Sequence, residues 1–219
     1  MTTEDTGYSI GFEELPDSDL NNVTRNNLAE LFIEAATKKP LHLGLTRYLL
    51  RRAKQLKTSV LREPVLTNIA ALTPAMREVI QYLIAAVKPN TVKETGKALL
   101  NFTSSAAAGS LPFVRMWILE FFIHRPESVK YLDACRIAAE SKDSLGARPM
   151  ALLARSYEQV QWVRAQKEKW ANHAPWDRRA IIWASSILPK DERGHWCRLV
   201  KDTASDPLDR AVAMLAAQG

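Results

Sequence analysis

The chain has 219 residues, 47% of them hydrophobic and 25% charged, with two cysteines and a formal charge of +6. Those values argue against a disordered or fibrous polymer and allow one large domain or two small ones. Cys135 and Cys197 lie 62 residues apart with no CxxC spacing, which argues against a disulfide scaffold and predicts a reducing, cytoplasmic setting. The opening Met-Thr-Thr-Glu-Asp carries the wrong charge for a secretory leader. The longest apolar stretch, residues 111–123, is interrupted by Arg115 and Glu120 and is too short to cross a bilayer, so no membrane span is expected.

The charge is unevenly placed. Residues 1–24 hold six acids and no lysine or arginine, which leaves thirty basic and eighteen acidic residues for the rest. A body that basic is compatible with a polyanionic partner, RNA or DNA. Residues 1–17 read as an acidic, irregular tail. Residues 18–73 read as an N-terminal helical segment and 74–219 as helical repeats, together one continuous domain. A first helix is expected from Ser18 to Thr37, with Asp17-Ser18-Asp19 as its cap and Leu28, Leu31, Phe32 and Ala35 on one stripe. Lys38-Lys39-Pro40 ends it. Residues 41–57 form a second helix, in which Arg47, Arg51 and Lys54 fall within about 60° of one another, opposite the apolar stripe. A brief helix follows at Val65–Leu72.

Four later helices begin with the same word, Pro-x-x-Arg, at Pro74/Arg77, Pro112/Arg115, Pro175/Arg178 and Pro207/Arg210. After the first three a second proline comes 14 or 15 residues on, at Pro89, Pro126 and Pro189. Proline suits a helix's first turn, where its missing N–H costs nothing, and breaks a helix interior. The pattern therefore predicts helix pairs at 74–102, 112–141 and 175–203. A long helix over 149–171 lies between the last two, and Pro207–Gln218 is a polar terminal cap keeping Asp209 and Arg210 on its flank. The helix at 112–124 is apolar all round and should be covered on several faces. No segment alternates with period two. The expected fold is all-α, a stacked helical-hairpin, HEAT-like solenoid of about ten or eleven helices.

The recurring arginine has two readings: a stem packed on the next repeat with its guanidinium on a carboxylate or carbonyl, or a ladder of phosphate grips. Packing is the simpler, since HEAT-type repeats stack through Arg or Asp–Arg pairing. Arg178-Arg179 is the better surface candidate, because two adjacent side chains can hardly both point inward and a helix N-terminus favours phosphate. With Arg47, Arg51 and Lys54 they form the candidate nucleic-acid-binding set. Arg164, Lys167 and Lys169 between Trp162 and Trp170 look like basic-aromatic interleaving, although tryptophans at helical spacing are more often core. Trp176, Trp183 and Trp196 read as packing residues. The four histidines are scattered, His195-Trp196-Cys197 has no second half, and no GxSxG, P-loop or GxGxxG occurs. No metal, cofactor or catalytic residue is expected.

Two stretches carry a resemblance. One is Leu45-Thr46-Arg47-Tyr48-Leu49-Leu50-Arg51-Arg52-Ala53 with Thr73-Pro74-Ala75-Met76-Arg77-Glu78. The other is Trp176-Asp177-Arg178-Arg179-Ala180-Ile181-Ile182-Trp183 with Leu188-Pro189-Lys190-Asp191-Glu192. Together they resemble the HEAT-like C-terminal region of bacterial reverse transcriptases of the abortive-infection and phage-defence groups. The polymerase half of that family carries Tyr-x-Asp-Asp, and this chain has no Asp-Asp. The resemblance thus implies a non-catalytic accessory module that packs on a polymerase core, contacts nucleic acid through basic faces and assists homo-oligomerisation. The alternatives are a HEAT-repeat alkylpurine DNA glycosylase, with Asp177 beside Trp176 as its carboxylate, and a protein-interaction scaffold.

Overall fold

The computed structural model describes residues 22–105, 112–139 and 146–218. They hold twelve α-helices: α1 Leu28–Thr37, α2 Leu43–Gln55, α3 Arg62–Thr67, α4 Met76–Ala86, α5 Val92–Thr103, α6 Pro112–His124, α7 Tyr131–Ala139, α8 Arg148–Ser156, α9 Val160–Gln166, α10 Pro175–Ala184, α11 Lys190–Thr203 and α12 Pro207–Gln218. No strand occurs among the described residues, and the chain adopts the all-α helical-repeat class that its prolines predict. Among those residues, no helix is long and apolar enough to cross a membrane.

Helix ends differ from expectation where the stop signal is not glycine or proline. The first helix starts ten residues late. Asn27 accepts the Thr24 N–H through Oδ1 at 2.8 Å and donates Nδ2–H to the Asn22 carbonyl at 3.0 Å, holding residues 22–27 as turns. Asparagine competes with the helix for backbone groups in this way. The Asp17-Ser18-Asp19 cap and the acidic tail lie outside the described residues. The long helix expected over 149–171 is three pieces. α8 stops because Glu158 adopts a left-handed φ of 53°, with Gln159 N–H bonded to the Ala154 carbonyl (2.7 Å) and Glu158 N–H to that of Arg155 (3.3 Å). This is the Schellman geometry, normally supplied by glycine. α2 ends the same way at Lys57, whose φ is 48°.

The chain clusters into two compact units divided between Phe121 and Phe122. In the first, α1 packs on α2, α2 on α4, and α3 against α1, α4 and α5. Leu28, Phe32, Leu49, Leu50, Leu61, Ile80 and Leu83 are fully enclosed. Tyr82 is enclosed with them, and its hydroxyl accepts the Leu61 N–H at 3.1 Å. Burial raises that phenol far above its ordinary range, so it stays neutral. The α6 helix is not covered all round: Phe113 and Met116 are exposed.

In the second unit α10 is central, packed on α8 and α12, while α11 packs on α12 and α7 on α8. Trp196, Ile181, Ile182, Val163 and Val200 form its core. Trp176 is not a packing residue; it is 69% exposed. The terminal helix is not a polar cap either. Asp209 is buried, Arg210 donates inward to the Ala204 carbonyl at 2.8 Å, and Leu208, Met214 and Leu215 are exposed instead.

Gly146 precedes α8 with φ 66°, and its backbone lies flat against the Asp177 carboxylate, so a Cβ there would clash with both oxygens. Gly146→Ala should therefore destabilise the protein by about 1–3 kcal/mol, read as a lower urea midpoint at unchanged slope.

Candidate nucleic-acid interface

The candidate cations occupy two places, one in each unit. Arg47, Arg51 and Lys54 lie on α2, on the flank that faces α4. Arg47 donates from Nη2 to the Pro74 carbonyl at 2.9 Å, and its Nε lies 3.6 Å from Glu78. Arg51 donates from Nη2 to Glu78 at 3.1 Å, although 67% of its side chain stays exposed. Glu78 itself is mostly buried, so two guanidiniums neutralise a carboxylate that is largely withdrawn from water. Lys54 is exposed and has no ion pair among the described residues, as is the case for Lys57 one turn on. Arg25 reaches the same end of α2 and donates to the Leu56 carbonyl at 2.7 Å. The C-terminal end of α2 thus gathers Arg25, Arg51, Lys54 and Lys57. The free carbonyls of the helix also favour cations there.

Arg178 and Arg179 both turn inward, against expectation. Arg178 Nε donates to Asp209 at 2.7 Å and its Nη1 to the His173 carbonyl at 3.2 Å. Arg179 donates from Nη2 to Asp206 at 2.8 Å, with its guanidinium 5.3 Å above the Trp176 ring. Cross-contacts of 3.6 Å (Arg178 to Asp206) and 3.3 Å (Arg179 to Asp209) close a four-residue cluster. Adjacent side chains can share one buried target because α12 begins directly opposite: Asp206 precedes its first turn and Asp209 lies within it. A phosphate would have to compete with two carboxylates for the same N–H groups.

The other Pro-x-x-Arg arginines follow the packing pattern. Arg115 is buried, Arg210 binds the Ala204 carbonyl, and exposed Arg77 lies 5.6 Å over the Trp117 ring. In the Trp162–Trp170 segment, Arg164 is paired with Glu192 at 2.6 and 2.8 Å and Trp170 is buried. The glycosylase candidate Asp177 accepts the Arg148 N–H at 2.9 Å and backs Gly146, so its carboxylate serves the turn before α8. His42 caps α2, accepting the Leu45 N–H at Nδ1 (3.3 Å). No group of three histidine, cysteine or acidic side chains able to hold a metal occurs among the described residues.

Sequence reasoning missed the acceptors. Glu78, Asp206 and Asp209 complete the arginine pattern, and of the three only Asp209 lies in a Pro-x-Asp-Arg word, at 207–210. It also missed an open cavity of about 580 Å³ lined by Arg155, Glu158, Val160, Trp183, Ser186 and Ile187.

Asp206 accepts the Leu208 N–H at 2.9 Å, and that bond, aided by Arg179, holds its carboxyl below the usual range. A lowered folded value means that Asp206 adds stability above the unfolded value, about pH 4, and loses it as pH falls further. Melting of Asp206→Asn should accordingly trail wild type at pH 6, with the gap closing at pH 3. Asp209→Ala leaves Arg178 and Arg179 to share Asp206 alone and should cost about 1–3 kcal/mol by urea titration. Glu34→Ala, at an exposed pair with Lys38, should cost at most about 1 kcal/mol.

No family model matches this chain, and neither a curated protein nor a solved structure matches it at a significant level.

Proposed function

We propose that this chain is a non-catalytic helical-repeat module that binds nucleic acid through the cationic end of α2 and works in the cytoplasm beside a separate catalytic protein. In the resemblance drawn from residues 45–53 and 176–192, that protein is the polymerase half of a reverse-transcriptase-like phage-defence system. The observation that carries the reading is that Lys54 and Lys57 stand exposed at one helix end with no ion pair among the described residues, while Arg51 beside them and the arginines of the second cluster are held by carboxylates. Cations that are already ion-paired release few counterions when a phosphate approaches; free ones release theirs and drive binding. A protein partner is supported by α12, whose outward residues Leu208, Ala211, Met214 and Leu215 carry no charge.

The structure changes how the interface must be tested. Glu at positions 47 and 51 would set two carboxylates beside buried Glu78 and unfold α2 from α4, so loss of binding there would mean nothing. Lys54→Glu with Lys57→Asn removes free cations and leaves the Glu78 clamp whole; asparagine tolerates the left-handed backbone at 57. Fluorescence anisotropy on a labelled single strand and on an RNA:DNA hybrid should show salt-dependent binding, weakened about tenfold in the double variant, with a shallower salt slope. An unchanged slope removes α2 from the interface. Absence of binding by wild type removes the nucleic-acid reading.

A further inference from the structure

Five arginines of this chain reach forward by about one repeat and end on a carboxylate. Arg51 reaches Glu78, Arg62 reaches Glu94, Arg164 reaches Glu192, Arg178 reaches Asp209 and Arg179 reaches Asp206, with separations of 27 to 32 residues. Arg155, at the end of α8, makes the same step of 31 residues and meets no acid among the described residues. Its Nε donates to the Ser186 hydroxyl at 3.2 Å, and its guanidinium lies 4.9 Å above the Trp183 ring. Where those five find a carboxylate, Arg155 opens on the 580 Å³ cavity.

We infer that this cavity is a binding site for a small organic carboxylate with an apolar body, the ligand supplying the anion that the neighbouring repeat does not. The guanidinium of exposed Arg155 is held at two points, over the Trp183 ring and at Nε by Ser186, leaving the two Nη groups as a fork of the shape a carboxylate accepts. The walls suit an apolar body, with Val160, Ile187 and Trp183 lining the space, whose volume falls in the range of ligand pockets. Glu158 also lines the cavity and is not ion-paired with Arg155, although it follows three residues later. Its charge favours a monoanion over a phosphate dianion, which would meet repulsion there. Such a ligand has two sources, a free carboxylic acid or the C-terminus of a peptide ending in an apolar residue. The site belongs to the second unit and does not rest on the nucleic-acid reading.

The test is two-dimensional NMR of the tryptophan indole N–H groups in the full chain, with the Trp183 signal assigned by Trp183→Phe. The probes are 4-methylpentanoate, phenylacetate, inorganic phosphate, and a peptide ending in leucine as free acid and as amide. A carboxylate probe should shift the Trp183 signal saturably, with Kd raised at least tenfold in Arg155→Ala and in the cavity-filling Val160→Phe. A response to the free-acid peptide, lost in the amide, assigns the site to peptide C-termini; a response to the small acids alone assigns it to free carboxylates. Both outcomes support the site. Three results would overturn it: no saturable shift with any carboxylate, equal shifts in Arg155→Ala, or phosphate binding as tightly as the acids.

Discussion

A short amphipathic helix cannot enclose its own apolar stripe, so within each unit the helices depend on their neighbours for burial, and the polar bonds that cross must keep that pairing in register. Those bonds share a direction and a length. Arg25, Arg47, Arg62, Arg164 and Arg178 each reach an acceptor 27 to 33 residues further along, and the Arg148 N–H reaches Asp177 at 29. One repeat of two helices and their turns has that length. Sliding a pair by one helical turn would strand a charge beside the core, at a cost of several kcal/mol per ion, whereas an apolar contact would merely repack. Burial holds the helices together and arginine specifies which neighbour each one holds.

The two units use this device in matching form. In the first, Arg47 and Arg51 bracket Glu78. In the second, Arg178 and Arg179 bracket Asp209. In both, the enclosed acid sits in the first turn of the receiving helix. There the N-terminal dipole favours a negative charge, so the position is suited to a buried carboxylate before any arginine arrives.

Much of this was legible in the residues. Proline at a first turn has one physical meaning, and helices indeed start at or within two residues of Pro74, Pro112, Pro175, Pro189 and Pro207. The helix stops were less legible. Glu158 and Lys57 occupy left-handed positions that glycine would announce, and only tertiary packing makes a charged residue adopt them. The side on which a charge lies was the least legible. Helical spacing places Arg47, Arg51 and Lys54 together, but it cannot say that a glutamate on another helix claims the first two. Two adjacent arginines look like surface when the helix is considered alone. They turn inward because an Asp-x-x-Asp pair at 206 and 209 stands opposite, a fact held 27 to 31 residues away.

The same geometry sets how the chain's positive charge can act. Net charge measures what a partner meets from a distance, yet binding at contact depends on cations that have no better acceptor nearby. In this fold the arginines are mostly committed: their planar forks match a carboxylate or carbonyl of the next repeat, and their stems pack along the way. Lysines such as Lys54 and Lys57, with a flexible point charge, are poor at such bridging and remain in water. The division of labour follows from side-chain shape. Arginine holds register and lysine faces outward. Arg155, which reaches the next repeat and meets a serine hydroxyl and a tryptophan face instead of a carboxylate or carbonyl, departs from that use.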